Sequence, residues 1–186
     1  MTIGIDIDNT IINSVQAVLE QYYIESGHRL CSEKIATYGI ENYVLDDFKD
    51  DFSLIFMKRE TWQKAKVIDG CISVIKRLYN QGYQIYFITV TDPSIVNAKI
   101  NILQQALPFI NVRKHLITTP LKQIIDCDIL IDDCVNNVVN AKHYYSILLD
   151  YAWNHNFDDA SDDKIYRVFN WSQVEPMIKY IEKIRS

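Results

Sequence analysis

The chain opens on 2–7, a short β-branched run whose only turn residue is Gly4, which predicts a buried parallel strand. The run breaks at Asp8-Asn9-Thr10. Ile12, Val15, Val18, Leu19, Tyr22 and Tyr23 then recur at helical spacing until Gly27. From 28 to 66 the pattern changes. This stretch is rich in Asp, Glu, Lys and aromatics and has no strong strand run. Tyr43, Phe48, Phe52, Phe56 and Trp62 sit at spacings that predict short helices, so it reads as a helical insertion. Alternation then resumes. A helix is expected over 71–81 with Gly82 as its C-terminal cap, then a strand over 83–90 and a helix from Pro93 to about Ala106. A short strand over 115–118, a helical turn over 121–125 and a strand over 128–131 follow. The pattern closes with a helix over 135–143, strands over 146–149 and 165–169, and a helix capped by Ser172 that runs to Ile184.

Strands that alternate with helices imply a parallel sheet with helices on both faces. The expected fold is α/β: a three-layer αβα sandwich with a parallel, Rossmann-like sheet and a small helical cap inserted after the first strand. The core would comprise 1–13 and 67–186, and the cap 14–66. A length of 186 residues suits one domain with a modest insertion and buries a core without a metal or disulfide staple. Acidic residues number 24 against 19 basic ones, a net charge of −5. That balance argues against a nucleic-acid backbone or an anionic membrane as partner, but a small phosphorylated ligand needs only a few local donors. The cysteines at 31, 71, 127 and 134 form no C-x-x-C pair, and the histidines at 28, 115, 143 and 155 do not cluster with them. This excludes a structural zinc site and reads as reduced packing thiols. The N-terminus has no basic leader pattern, and no run approaches a membrane span, so a cytoplasmic location is expected.

In an open α/β sheet, ligands bind beyond the carboxyl ends of the strands. Asp6, Asp8 and Thr10 follow the first predicted strand. Thr89 ends the second, with Thr91 and Asp92 behind it. Asp132 and Asp133 follow the strand ending at Ile131, and Lys122 precedes it. Clustered carboxylates stay ionised together only when a cation neutralises them, and an all-oxygen set favours a hard ion, Mg²⁺. Thr and Lys suit phosphate oxygens as donors. The chemistry indicated is phosphoryl transfer, with a carboxylate as covalent acceptor and a second carboxyl as proton donor.

The run Ile5-Asp6-Ile7-Asp8-Asn9-Thr10 resembles the D-x-D-x-T signature of the haloacid dehalogenase-like (HAD) phosphatases. Thr89, at the end of Ile85-Tyr86-Phe87-Ile88, is similar to that superfamily's second motif. Lys122, ten residues before Asp132, is similar to the third, with Lys114 as the rival lysine. The run Asp128-Ile129-Leu130-Ile131-Asp132-Asp133 is similar to the acidic fourth motif. Within the superfamily the chain most resembles the 5′(3′)-deoxyribonucleotidases. The cues are GIDIDNTI, Val67-Ile68-Asp69-Gly70, DILIDD, Trp153-Asn154-His155-Asn156 and Arg167-Val168-Phe169-Asn170-Trp171.

The resemblance implies Asp6 as the nucleophile that forms an aspartyl-phosphate. It implies Asp8 as general acid and base, also lending its backbone carbonyl to Mg²⁺. Thr89 and Lys122 would bind the phosphoryl group, and Asp132 would ligate the metal together with Asp6 and Asp8. Thr10 and Asp133 would support them. The substrate would be a nucleoside monophosphate, and a homodimer would fit. Two rival readings are another small phosphate ester, such as a sugar phosphate or a polynucleotide end, and a binding module without turnover. The chain departs from many relatives at Val90-Thr91-Asp92 and at Cys134, which bears on substrate preference. Phe48, Phe52 and Phe56 fall four apart and read as packing of a cap helix. Phe48, Phe52 and Trp62 are also the candidates for stacking on a substrate base. Trp153 and Trp171 read as packing.

Overall fold

A computed structural model describes residues 1–139 and 144–185. The chain runs through β1 (Thr2–Asp6), α1 (Ser14–Ser26), α2 (Asp46–Lys49), α3 (Phe52–Met57), α4 (Arg59–Lys64), α5 (Cys71–Asn80), β2 (Gln84–Thr89), α6 (Val96–Ala106), α7 (Val112–His115) and β3 (Leu116–Thr118). A 3-10 turn at Lys122–Ile124 leads to β4 (Ile129–Asp132), α8 (Val135–Val138), β5 (Tyr145–Leu149) and β6 (Ile165–Val168). A second 3-10 turn, Trp171–Gln173, leads into α9 (Val174–Arg185).

The strands form one six-stranded parallel sheet in the order β3-β2-β1-β4-β5-β6. The chain builds outward from β1 to β3, then returns to the other side of β1 to lay down β4, β5 and β6. This reversal is a topological switch point, where loops diverge and leave a crevice at the carboxyl rim. Ile5 pairs with both Phe87 and Ile131, so β1, β2 and β4 end side by side. Ile3, Ile5, Ile85, Phe87, Ile129 and Ile131 share one face and pack with the apolar stripes of α5, α6 and α9 in the main core. Ile88 and Leu130 occupy the other face with Cys127. Gly4 lets the strand pack closely there: a Cβ would lie 2.6 Å from Ile88 Cδ1 and force that side chain to shift. Among the described residues, this second face is covered by short pieces, the Lys122–Ile124 turn and α8.

A second apolar cluster stands apart from the main core. It joins α1 to the residues between α1 and α4 through Val15, Val18, Leu19, Tyr22, Ile35, Ile40, Val44, Phe52 and Ile55. Tyr22 is its hub. The Tyr22 hydroxyl accepts from the Leu45 amide at 3.0 Å, and the rings of Phe48 and Phe52 meet Tyr22 edge-on at 5.4 and 6.0 Å.

Three local expectations shift. The helix expected from Pro93 begins at Val96, because Asp92 Oδ1 takes the Ser94 amide at 2.7 Å and holds the preceding residues in a turn. The last helix is capped by Asn170, whose side chain accepts from the Ser172 amide at 3.0 Å, so Ser172 is inside the turn. The helix expected over 135–143 is shorter: it spans Val135–Val138 and ends at Val139, whose ψ of 151° is extended, and 140–143 lie outside the described residues. Gly82 takes the left-handed φ of 87° that closes α5, as expected.

Candidate active site

β1 delivers Asp6 to the rim. The next residues double back tightly, with the Ile11 and Ile12 amides both donating to the Ile7 carbonyl at 2.9 and 2.8 Å. The turn needs a left-handed residue, and Asn9 supplies it at φ 53°, a conformation Asn tolerates better than most side chains. The Asn9 side chain then serves two elements. Its Oδ1 accepts from the Val15 amide at 2.9 Å, at the start of α1, and its Nδ2 reaches Asp133 Oδ2 at 3.5 Å. Asp6 and Asp8 thus both line one cleft, whose floor also holds Lys122.

Lys122 is buried and bridges two strand ends. Its ammonium contacts Asp6 Oδ1 and lies 3.0 Å from Asp132 Oδ2. Thr10 donates to the other oxygen of Asp6 at 3.2 Å, so both oxygens of that carboxylate are held. Asp132 accepts from the Cys134 amide at 2.9 Å and from Asn137 Nδ2 at 3.0 and 3.1 Å. Asp133 accepts from Trp153 Nε1 at 3.1 Å, and Asn154 clamps its backbone carbonyl at 3.0 Å. Thr89 donates to Asp8 Oδ2 at 3.1 Å.

The structure therefore brings Asp6, Asp8, Thr10, Thr89, Lys122, Asp132 and Asp133 together. Lys122, rather than Lys114, is the lysine among them. A second buried lysine, Lys99, lies 2.5 Å from Asp8 Oδ2 and is absent from the sequence-derived set. Its signal was available. Lys99 stands with Ile100 and Leu103 on the buried stripe of α6, where a charge is rare unless paired.

The Asp6 carboxyl is raised to about 7: burial is the largest cause, Lys122 opposes it, and Asp132 and Asp8 add to it. Burial, with Asp6 and Asp132 beside it, also holds Asp133 well above the carboxylate range. Burial would lower Lys122, but Asp6 and Asp132 outweigh it and hold the ammonium above the usual lysine range. Four carboxylates thus face two ammoniums, an excess of two negative charges if all ionise. Carboxylate oxygens of Asp6, Asp132 and Asp133 lie within 4.8 Å of one another, and Asp8 Oδ1 is buried with no hydrogen-bond partner among the described residues. The charge excess and the hard oxygen donors of Asp6, Asp132 and Asp133 fit a divalent cation.

This geometry sets a pH dependence. The folded chain binds the Asp6 proton more tightly than the unfolded chain, where an Asp titrates near 3.8. The contribution of Asp6 to metal-free stability is therefore full below that value and lost as pH rises through about 7. A divalent cation held by Asp6 would compete with this proton, so the rise in melting temperature on adding Mg²⁺ is expected to be larger at pH 8 than at pH 6. Differential scanning fluorimetry at the two pH values checks this, and a shift independent of pH refutes it.

The cleft above these residues encloses about 340 Å³ and is walled by Tyr38, Phe56 and Trp153. The rings expected at the base are elsewhere. Phe48 and Phe52 turn toward Tyr22 inside the second apolar cluster. Trp62 donates to the Phe56 carbonyl at 2.6 Å and lies outside the cleft lining, its ring facing Lys99 at 5.1 Å. The spacing of the aromatics indicates helices but not which side of each helix meets the cleft, and Tyr38 sits in a loop without periodicity. Trp153, expected to pack, does so by stacking on Tyr151 at 4.4 Å while also binding Asp133. Trp171 is buried and donates to the Thr10 carbonyl at 2.7 Å, steadying the loop behind Asp8.

Comparison with known proteins places this geometry among relatives. The family model described as "5' nucleotidase, deoxy (Pyrimidine), cytosolic type C protein" matches residues 1–184. A 5′(3′)-deoxyribonucleotidase of Bacillus subtilis (strain 168) is 30% identical over 118 residues, 62% of this chain and 64% of that relative's length. One from Clostridium acetobutylicum is 22% identical over 181 residues, 97% of this chain and 96% of its own. Among solved structures, a HAD family hydrolase from Deinococcus radiodurans R1, with bound phosphate and sodium, superimposes with a TM-score of 0.62 at 12% identity, covering 97% of this chain and 96% of the other. A haloacid dehalogenase-like protein from Agrobacterium tumefaciens str. C58 gives 0.67 at 11% identity, covering 97% and 98%. The fold is that of the HAD hydrolases. No helix among the described residues is long and apolar enough to cross a membrane.

Proposed function

The chain belongs to the family of cytosolic type C 5′ deoxynucleotidases, phosphoric monoester hydrolases, and from that premise we propose that it is a Mg²⁺-dependent phosphatase that hydrolyses nucleoside monophosphates, deoxyribonucleotides foremost. The observation that carries this reading is the convergence of Asp6, Asp8, Lys122 and Asp132 at the floor of one aromatic-walled cleft.

Asp6 is the nucleophile. Lys122 holds one of its oxygens and Thr10 the other, which fixes its orientation before substrate arrives. Its carboxylate attacks phosphorus; the new O–P bond forms as the bond to the substrate oxygen breaks, giving an aspartyl-phosphate. Asp8 gives its proton to the leaving oxygen and then takes one from the water that hydrolyses the intermediate. Lys122 and Thr89 neutralise and orient the phosphoryl oxygens. Asp6, Asp132 and the Asp8 backbone carbonyl would hold Mg²⁺, with Asp133 in support; the ion would add positive charge against the phosphoryl oxygens. The segment 14–66 acts as the cap. It brings Tyr38 and Phe56 to the cleft and excludes bulk water once substrate is bound.

The aromatic walls favour a base-bearing substrate over a bare sugar phosphate. The test is phosphate release, with Mg²⁺, from 5′ and 3′ ribo- and deoxyribonucleoside monophosphates, sugar phosphates and 4-nitrophenyl phosphate. Preference for deoxynucleotides supports the reading. Release only from the other phosphates keeps the chemistry and removes the substrate, and no release from any substrate favours the binding module.

Two aromatic substitutions separate wall from core. Tyr38→Ala is expected to raise KM for a nucleoside monophosphate about tenfold, within the range for one lost base stack, and to leave 4-nitrophenyl phosphate nearly unchanged. Phe52→Ala is expected to destabilise the chain by about 3–5 kcal/mol, the usual loss for a buried Phe, with a small change in KM. Steady-state kinetics and thermal melts decide; the reverse pattern would return Phe52 to the substrate.

A further inference from the structure

Lys99 has no part in the roles above, yet it is 2% exposed and lies inside the site. A lysine on the core-facing stripe of a helix persists only where its charge and protons are met. Here all three ammonium protons have acceptors: Asp8 Oδ2 at 2.5 Å, Thr89 Oγ1 at 3.2 Å and the Val90 carbonyl at 3.4 Å. The Trp62 ring lies 5.1 Å from the ammonium, on the side where α4 meets α6. Nothing is left over with which Lys99 could grip a substrate.

Its effect therefore runs through its partners. An ammonium only donates, so a Thr89 hydroxyl that accepts from it must send its own proton elsewhere: to Asp8, to the Val90 carbonyl or to a phosphoryl oxygen. Asp8 Oδ2 is held from two sides, by Lys99 and by Thr89, which fixes the plane and rotamer of that carboxyl. We propose that Lys99 is a positioning residue for phosphoryl transfer: it holds the Asp8 carboxyl, directly and through Thr89, in the orientation that serves the leaving oxygen. Trp62, contributed by α4, braces it, so this clamp spans the seam between the inserted segment and the core. The inference rests on the nucleotidase reading.

The test is leaving-group dependence. Wild type, Lys99→Met and Lys99→Gln are assayed on aryl phosphates of graded leaving-group acidity and on a nucleoside monophosphate, with a thermal melt of each variant. A nitrophenolate departs without a proton, whereas a nucleoside alkoxide needs one. For Lys99→Met, kcat/KM is expected to fall about 100-fold on the nucleotide and less than about tenfold on 4-nitrophenyl phosphate, with a steeper dependence on leaving-group acidity. Lys99→Gln keeps a donor toward Asp8 and is expected to fall between the two; it also carries the test if Lys99→Met does not melt cooperatively. An equal loss on every substrate would make Lys99 a packing residue and overturn the inference, as would no loss. Wild type turning over none of the substrates would overturn the nucleotidase reading and the inference with it, an outcome distinct from wild-type turnover with an unchanged slope.

Discussion

Asp6→Asn is expected to lower phosphate release from a nucleoside monophosphate by at least about ten-thousand-fold, the scale on which enzymes lose activity when a covalent nucleophile is removed. The change removes a negative charge but little volume. The new side chain still accepts from Lys122 through its oxygen and meets Thr10 with its amide, so the local hydrogen bonds persist. Above about pH 7 the wild-type carboxylate is ionised in a buried site beside Asp132 and Asp8, against its own preference. The metal-free variant is therefore expected to melt no lower than wild type at pH 8. It is also expected to lose most of the stabilisation by Mg²⁺, because one of the charges the ion neutralises has gone. Phosphate release, a thermal melt and a Mg²⁺ titration give three readouts. Turnover that survives in a folded variant would remove the covalent mechanism.

Lys122→Met is expected to act on the same site with the opposite effect on stability. Lys122 is the cation between Asp6 and Asp132, and both partners are buried. Removing one member of a buried ionic set leaves uncompensated charge, a loss of about 3–5 kcal/mol. For a chain of this length that corresponds to a fall in melting temperature of roughly 10 °C. The sign of the pH response follows. Without the lysine, Asp6 binds its proton more readily, so the deficit should shrink as pH falls from 8 to 6. Mg²⁺ should restore part of the melting temperature but not the activity, expected to be down about 100- to 1,000-fold if Lys122 donates to the phosphoryl group as proposed. A variant as stable as wild type at pH 8 would mean that the three groups do not form the ionic set described.

The two variants separate what sequence could and could not indicate. Asp6, Asp8, Thr89, Asp132 and Lys122 were legible because each sits at a strand end or a turn, and strand ends are marked locally. Apolar runs such as Ile129-Leu130-Ile131 carry their own signal, and a parallel sheet sends every strand's carboxyl end to one rim. Gly82 was legible for the same reason, since a left-handed φ after a helix needs glycine. Asn170 replacing Ser172 as the cap, and Val96 replacing Pro93 as the helix start, are the ordinary drift of local signals by a few residues.

What sequence could not indicate is of another kind. Lys99 carries its charge on the apolar stripe of α6, and whether that is a flaw or a site depends on Asp8, which is distant in the chain, and on the end of β2 at Thr89. Asn137 and Trp153 bind Asp132 and Asp133 only because α8 and the turn after β5 fold over the acidic pair. Phe48, Phe52, Phe56 and Tyr38 are all aromatic and close in sequence, yet the first two face Tyr22 and the last two face the cleft. The parallel sheet, its helices, the acidic rim and the class of chemistry were determined by sequence alone, because backbone propensity and side-chain period act over a few residues. The second lysine, the supports of the acidic pair and the walls of the cleft were decided only by tertiary structure. Burial and charge pairing depend on what arrives from elsewhere in the chain, and that is settled when the two apolar clusters close against each other around the site.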